Sequence, residues 1–306
     1  PPGTTFCIQA GTHWLQEIDP KDDMTFIGEP GAVISGARVL TDWIADGGRW
    51  YVDGQTQEEW THGRCADGYP RCDRPEDLYY DDVIVRHVGT VGEVGPGTWF
   101  FDYDADRIYI GEDPAGKVIE TTVANRAFFG AGANVTIWSL VVEKYANQAQ
   151  HGAIDARVHN GADSPLGIGW LVAGCEVRFN HGTGIRLSDD GIMRGNNIHR
   201  NGQKGVAANG MDVLVESNEI AYNNTAGFSW GWEGGGSKFA YTTNLIVRDN
   251  FVHHNLGPGL WTDIENVNTL YEYNVVEDNE DGGSGIFHEI SWGATIRFNE
   301  VRRNGL

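Results

Sequence analysis

Basic residues are scarce in this chain: 22 Lys and Arg stand against 43 Asp and Glu in 306 residues, which gives a formal net charge of −21. Nucleic-acid binding depends on Lys and Arg that meet phosphates, so no nucleic-acid partner is expected. The same charge disfavours a polyanionic polysaccharide unless a metal or a local basic patch intervenes. A neutral or weakly charged carbohydrate is therefore the expected substrate class. The simpler alternative is that an acidic surface only keeps an exported protein soluble.

Long apolar runs are also missing, and no stretch approaches the roughly 18 apolar residues of a membrane span, so no membrane partner is expected. Cysteine is limited to four residues without a CxxC pair, and neither a metal nor another cofactor is predicted. Cys65 and Cys72 flank a short turn-rich loop and are predicted to form a disulfide, which is typical of an oxidising compartment. The chain starts at Pro1 without a charged and apolar leader, so we expect a secreted protein whose signal peptide has been removed.

Gly and Asn are abundant instead, and they form a repeat. The unit is Asn-x-(Ile/Val)-x-x-Asn, followed after a short gap by Gly and an apolar residue. Its second Asn recurs at intervals of 21 to 32 residues, at Asn180, Asn201, Asn223, Asn255, Asn279 and Asn304. Such periods match one coil of a β-solenoid, and the apolar residues alternate rather than follow a helical period. The sequence predicts an all-β, right-handed parallel β-helix in which these Asn side chains stack in one column.

The first half of the chain departs from this repeat. Residues 1–40 contain short apolar segments between Gly and Pro, which are typical of first rungs of the β-helix. A β-rich insertion is predicted over residues 41–120, with a hairpin formed by residues 99–103 and 108–110. Rung-like segments resume after residue 120, so residues 121–306 are assigned to the β-helix with its Asn ladder.

A Trp-Phe-x-Asp hairpin at residues 99–102 that continues to Tyr103 and Asp113-Pro114, set into a β-helix, resembles the insertion of β-helical glycoside hydrolases. The most similar are families 120 and 141 of the pectate-lyase-like superfamily, which include xylan-acting and fucose-acting enzymes. In family 120 the catalytic pair is an Asp and a Glu on neighbouring rungs, a little over twenty residues apart. The resemblance covers the organisation of most of the chain, but in residues only the hairpin, the Asn repeat and one candidate pair.

The candidate pair comes from aligning the rungs on their Gly-apolar step, at residues 184–185, 205–206, 227–228, 259–260 and 285–286. Side chains alternate along a strand, so the residue after each apolar position points outward, as does the residue two further on. The first outward set is Arg186, Ala207, Ser229, Trp261 and Phe287, and the second is Ser188, Asn209, Gly231, Asp263 and Glu289. Asp263 and Glu289 thus occupy one column on consecutive rungs. The spacing of about 4.8 Å between strands approximates the roughly 5–5.5 Å between the carboxyl groups of retaining glycosidases.

The resemblance implies that Asp263 is the nucleophile and Glu289 the general acid and base. Trp261 and Phe287 are predicted to stack on a sugar ring. A loop over residues 232–241 is predicted to wall the cleft, and the candidate substrate contacts there and nearby are Trp230, Trp232, Glu233, Lys238, Tyr241, Arg186 and His288. His288 is expected to pack inward beside Glu289 or to bond to it. Glu265 is a rival to Asp263, and in so acidic a chain two neighbouring carboxylates also arise by chance.

Two other functions compete with hydrolysis, because one fold supports many chemistries. A polysaccharide lyase or epimerase acting on a uronate-containing glycan needs a base and a cation for the carboxylate, and Arg186 and Lys204 are the basic residues near the outward face. A non-catalytic carbohydrate-binding β-helix would use the aromatic residues alone. Loss of activity with retained binding on mutation of Asp263 would distinguish the enzyme from the binding module.

Overall fold

Three parallel β-sheets form the walls of a solenoid in the computed structural model, which describes residues 1–159, 161, 163–280, 282 and 284–305. The first sheet consists, in order, of Thr5–Ile8, Thr25–Gly28, Thr136–Trp138, Leu171–Ala173, Ile192–Arg194, Leu214–Glu216, Ile246–Arg248, Leu270–Glu272 and Thr295–Arg297. The second consists of Gly11–Trp14, Ala32–Ser35, Val141–Glu143, Glu176–Arg178, Asn197–His199, Glu219–Ala221, Phe251–His253, Val275–Glu277 and Glu300–Arg302. The third consists of Phe128–Phe129, Gly152–Asp155, Thr183–Leu187, Lys204–Met211, Gly235–Thr243, Leu260–Thr262 and Ile286–His288.

Equivalent residues of successive coils stack in register, and this builds the core. In the first sheet, the central residue of each strand pairs with the central residue one coil later, as Val215 does with Met193 and with Val247. Between the two ends of the stack these central side chains are buried, because each coil covers the apolar face of the next. The predicted parallel solenoid is confirmed, and with no α-helix among the described residues the fold is all-β.

The Asn repeat forms the predicted ladder. The side-chain amide of Asn201 donates to Oδ1 of Asn223 at 3.0 Å, and Asn223 donates in the same way to Asn255 at 2.9 Å. The series runs from Asn180 to Asn304, so the predicted column is confirmed. Each Oδ1 also accepts the backbone N–H of the preceding rung's Asn, which satisfies polar groups at a buried turn. The first Asn of each repeat forms a second ladder, from Asn196 through Asn218, Asn250 and Asn274 to Asn299.

A separate eight-stranded sheet is inserted in the sequence between the first rungs and the rest of the solenoid, which pair directly with each other in space. Its strands, in order, are Ala37–Val39, Ile119–Thr122, Leu78–Tyr80, Val83–His87, Thr98–Asp102, Arg107–Ile110, Arg49–Asp53 and Ile44–Asp46. The antiparallel pairing of Thr98–Asp102 with Arg107–Ile110 confirms the predicted hairpin. Trp99, Phe101 and Ile108 are fully buried in a core of its own.

The eight-stranded sheet is docked onto the solenoid by buried polar contacts. His181 lies between two acceptors of the insertion: its Nδ1 is 3.0 Å from Oδ2 of Asp77, and its Nε2 is 2.9 Å from the carbonyl of Cys72. The predicted disulfide between Cys65 and Cys72 is present, and Phe228 of the solenoid packs in the same apolar cluster. These contacts hold the insertion against the third sheet.

One rung was misaligned by the sequence pattern. Gly227 and Phe228 do not enter the third sheet, because Phe228 turns towards the disulfide of the insertion. The strand of that rung is Gly235–Thr243, in which Ser237 pairs with Val206 and Lys238 with Ala207. Most of the segment predicted as a loop over residues 232–241 is therefore strand, and the outward positions assigned to Ser229 and Gly231 are wrong. Its glycines are typical of a loop, but Gly235 is needed because the backbone of Gly257 and Pro258 approaches it closely.

Candidate functional site

The outward face of the third sheet brings charged residues from successive rungs into line. Asp155 pairs with Arg186, Arg186 with Ala207, and Ala207 with Lys238 along one column of the parallel register. Because side chains alternate across a strand, these residues point away from the apolar core. The corrected rung therefore adds Lys238 to the floor of the site.

Asp263 and Glu289 follow two adjacent strands at the same position. Trp261 pairs with Phe287 and Thr262 with His288, so Asp263 and Glu289 come next in the same register. The backbone N–H of Glu289 donates to the carbonyl of Thr262 at 3.0 Å, which continues the ladder to this point. The Asp263 carboxylate is almost buried: Oδ2 accepts from Nζ of Lys238 at 2.8 Å, and Oδ1 has no hydrogen-bond partner among the described residues. Glu289 is half-buried.

Trp261 does not offer a free face to a sugar, which corrects the sequence-based expectation. Its side chain lies between Nζ of Lys238, 4.2 Å from the indole ring, and the stacked ring of Phe287, whose centroid is 5.6 Å away. Only 4% of Trp261 is exposed, whereas Phe287 is half-buried. The indole Nε1–H donates to Oε1 of Glu289 at 3.1 Å. Trp261 thus orients Glu289 rather than providing a stacking surface.

His288 lies on the inner side of its strand. Its Nδ1 is 2.6 Å from the hydroxyl of Thr262, a fully buried residue that also accepts from Tyr271. The pKa of His288 is lowered by burial. The expectation that His288 packs inward agrees with this geometry, but its predicted contact with substrate does not, because Glu289 points to the opposite face.

A network of two lysines and one glutamate lies next to Asp263. Glu233 forms ion pairs with Lys204 and with Lys238, the latter at 3.3 Å, and Lys238 bridges onward to Asp263. Burial alone would raise the pKa of Glu233, but the ammonium groups of both lysines outweigh it and hold that pKa at about 2. Burial lowers the pKa of Lys204 to about 8 despite its carboxylate partner. The Glu233 carboxylate next to Lys238 therefore stays ionised at neutral pH.

A polar cavity of about 230 Å³ opens beside this network. Its lining residues are Gln150, Arg186, Lys204, Ala208, Asn209, Glu233, Lys238, Ala240, Tyr241 and Ile264. Gln150 comes from the turn before Gly152–Asp155, and its amide donates to Oε1 of Glu233 at 2.9 Å. Lys238 connects the cavity to Asp263, so a ligand in the cavity would lie next to the candidate pair.

The insertion and the turn Trp230–Trp232 of the solenoid together form an aromatic wall, which we define as Trp60, His62 and Trp232. Trp60 stacks on His62 at 5.0 Å, and the ring of Trp232 meets His62 edge-on at 5.2 Å. Nε2 of His62 lies 3.1 Å from the side-chain oxygen of Gln150, which joins the wall to the cavity. Trp60 is 62% exposed, so it presents a large open ring. Trp230, in the same 3₁₀ turn as Trp232, is also exposed.

Sequence reasoning missed the contribution of the insertion to the site. Trp60 and His62 lie far from the repeat in sequence, and only docking of the two sheets brings them to Gln150 and Trp232. In the sequence, the one signal for this contribution of the insertion was a polar stretch with several Trp residues. Within the described ranges, no group of three or more His, Cys, Asp and Glu side chains is arranged to hold a metal ion.

Replacing Glu233 by Gln is expected to destabilise the protein by about 3–5 kcal/mol, because the buried ammonium of Lys204 loses its carboxylate partner. The penalty should shrink above about pH 8, where Lys204 releases its proton. In the wild type, the stabilisation from ionised Glu233 is complete above about pH 4.5 and is lost as the pH falls towards 2, because its pKa is lowered on folding. Urea unfolding between pH 3 and 9 measures both effects.

Glu272→Gln is the matched control, because Glu272 is equally shielded but pairs with an exposed Arg297 on the first sheet. Its cost should stay below about 1 kcal/mol. Equal costs for the two variants would contradict the special role of the Glu233 network.

Comparison with known proteins agrees with this architecture. Residues 159–306 match the family model described as "Right handed beta helix region". The chain is a right-handed parallel β-helix. No curated protein matches its sequence. No helix in the described part of this β-helix is long and apolar enough to cross a membrane.

Solved structures resemble this chain at low sequence identity. XylC in complex with xylose has a TM-score of 0.70 and 13% identity, over 94% of this chain and 63% of XylC, so this β-helix spans less than two thirds of that protein. A protein described as a glycoside hydrolase has a TM-score of 0.49 and 11% identity, over 97% and 87% of the two chains. The Streptococcus pneumoniae surface protein and adhesin PfbA has a TM-score of 0.39 and 11% identity, over 97% and 88%. The predicted resemblance to β-helical proteins is confirmed at the level of fold.

Proposed function

We propose that the chain is a glycoside hydrolase that cleaves a polysaccharide or oligosaccharide with retention of configuration at the anomeric carbon. The observation that carries the proposal is the position of Asp263 and Glu289 in consecutive places of the same column. Adjacent parallel strands lie about 4.8 Å apart, close to the roughly 5–5.5 Å between the carboxyl groups of retaining enzymes. The secreted location expected from the sequence belongs to the proposal, and the disulfide supports it.

Asp263 is the nucleophile in this proposal. A nucleophilic carboxylate must be held in a fixed position, and the ion pair of Oδ2 with Nζ of Lys238 at 2.8 Å does this. Lys238 occupies Oδ2 and leaves Oδ1 without a protein partner among the described residues. A buried carboxylate oxygen without a partner is uncommon in proteins and is compatible with a group kept for chemistry.

Glu289 is the general acid and base. Its Oε1 is held by the indole N–H of Trp261, and the residue is open to solvent on one side. In the first step Asp263 attacks the anomeric carbon, and the bond to the leaving oxygen breaks as Glu289 donates its proton to that oxygen. In the second step Glu289 takes a proton from water, whose oxygen attacks the anomeric carbon and releases Asp263. Two inversions at one carbon give net retention.

The aromatic wall and the cavity suit a sugar substrate. Trp60 presents an open ring, and apolar sugar faces pack on such rings. The cavity beside it offers amide, ammonium and guanidinium donors for hydroxyl groups. The shared fold with XylC, whose structure contains xylose, supports a carbohydrate ligand.

A uronate lyase is favoured less by the geometry. Lys204, with a pKa of about 8, has the basicity for abstracting a proton from carbon. Its side chain is only 1% exposed and is paired with Glu233, so a substrate does not reach it directly. A hydrolase does not need Lys204 as a base.

The stereochemistry of the product tests the proposal. We expect that NMR of the first product formed from an aryl glycoside shows the same anomer as the substrate, before mutarotation mixes the anomers. Aryl glycosides of both configurations and of several neutral and acidic sugars should be screened. A product of inverted configuration would contradict retention, and an unsaturated, ultraviolet-absorbing uronate from a polysaccharide would identify a lyase.

A further inference from the structure

The cationic part of the site is larger than the proposed hydrolysis requires. Three guanidinium groups, those of Arg126, Arg157 and Arg186, lie near one another on the outward side of the third sheet. Both Arg157 and Arg186 donate to the backbone carbonyl of Gln150, at 2.9 and 3.1 Å, and Arg126 donates to the carbonyl of Arg157 at 3.3 Å. Among the described residues, Asp155 is the one carboxylate that forms an ion pair with any of the three, and it pairs with Arg157.

Arg186 has no carboxylate partner in the described part of the chain. Its two contacts are neutral oxygens, the carbonyl of Gln150 and the side chain of Asn209, and its buried Nε has no hydrogen-bond partner among the described residues. Burial and the neighbouring charge of Arg157 lower the pKa of Arg186 to about 10, and they outweigh the opposite effect of the carboxylates of Asp155 and Glu233, which lie nearby without forming a direct ion pair with it. A shielded cation without a direct ion pair costs free energy, part of which an anionic ligand would recover.

Arg186 also lines the cavity next to the candidate pair. We infer that this cavity binds the carboxylate of an acidic sugar, with Arg186 as the specificity-determining residue. The planar guanidinium matches a carboxylate better than it matches a hydroxyl group. The substrate is then a glycan that carries uronate residues. The chain has a net charge of −21, but the guanidinium groups at this face reduce the repulsion of an acidic glycan there. The inference rests on the proposed function in taking a glycan as the ligand.

Binding is measured in an Asp263→Asn background, so that the ligand is not consumed. Isothermal titration compares xylotriose with its glucuronate-substituted counterpart, and adds a galacturonate trimer and a sulfated trisaccharide. We expect at least one uronate-bearing probe to bind at least 10-fold more tightly than xylotriose, with a preference that weakens at high salt. Arg186→Gln should weaken binding of that probe by about 10- to 100-fold, as expected for loss of a charged hydrogen bond, and should weaken binding of xylotriose much less, because a hydroxyl group loses only a neutral contact.

Arg186→Lys separates charge from geometry and should recover part of the affinity. Arg194→Gln is the matched control, because Arg194 is an exposed arginine paired with Glu216 on the first sheet. Thermal melting verifies that each variant is folded. Equal binding of acidic and neutral probes, or an acidic preference that survives Arg186→Gln, would overturn the inference. So would tighter, Arg186-dependent binding of the sulfated probe.

This binding test is independent of turnover. Hydrolysis of neutral and acidic glycosides at equal rates in the wild type and in Arg186→Gln would leave the proposed hydrolase intact and refute the acidic specificity. Absence of hydrolysis on every glycan, with Arg186-dependent uronate binding, would refute the hydrolase and leave the carboxylate site standing.

Discussion

Replacing Asp263 by Asn should reduce hydrolysis by on the order of 10⁴-fold or more, because the amide keeps the shape of the side chain but cannot attack the anomeric carbon. The loss should appear in kcat rather than in binding, because the cavity and the aromatic wall remain. A steady-state assay on an aryl glycoside measures the change. The smaller variant Asp263→Ala should regain activity in sodium azide and release a glycosyl azide of inverted configuration, since azide then enters from the vacated side.

Glu265→Gln is the control for this experiment. Glu265 is exposed, lies two residues after Asp263, and was a rival in the sequence pattern. We expect this variant to retain wild-type activity. Full activity in Asp263→Asn, or a comparable loss in Glu265→Gln with no azide rescue at position 263, would place the nucleophile elsewhere.

Replacing Glu289 by Gln should lower turnover of natural glycosides by about 10²- to 10⁴-fold, because the leaving alcohol no longer receives a proton. Substrates with an acidic phenol as leaving group need no proton in the first step, so they should still form the glycosyl-enzyme. The second step then becomes slow, since water lacks its base. A stopped-flow burst of phenol, equal to the enzyme concentration and followed by slow turnover, measures this behaviour.

The matched control is Glu300→Gln, an exposed glutamate of the second sheet that pairs with Arg302. It should leave both phases unchanged. If Glu289→Gln slows all substrates equally, whatever their leaving group, then Glu289 is not the acid, and its contact with Trp261 has a structural role instead.

The repeat made most of the architecture predictable. Asn at a constant place in each unit, beside a buried Val or Ile, predicted the stacked column of Asn201, Asn223 and Asn255 that the hydrogen bonds confirm. Such a repeat predicts the packing well because every rung packs against equivalent rungs. The residues that the local pattern marks as buried are therefore the ones that the tertiary structure buries. The hairpin and the disulfide were predictable for a similar reason, since both depend on residues close in sequence.

The rung at Gly235–Thr243 was not predictable in the same way. The rung that forms the sheet has Gly236-Ser237 where the other rungs have Gly and an apolar residue, so the Gly-apolar step at Gly227 fits the repeat better. Phe228 is drawn to the disulfide of the insertion, a contact between segments far apart in sequence. Without that contact, the pattern assigns Lys238 to a loop rather than to the floor of the site.

The sequence by itself determined the parallel solenoid, its Asn ladder and the common column of Asp263 and Glu289, because these follow from one repeated local rule. Only the tertiary structure decided the surroundings of that pair. It buried Trp261 between Lys238 and Phe287, and it brought Trp60 and His62 of the insertion to the cavity. The burial and the charge pairing of these side chains depend on contacts from several rungs and from the docked sheet. These segments are far apart in sequence, so no local pattern predicts their contacts.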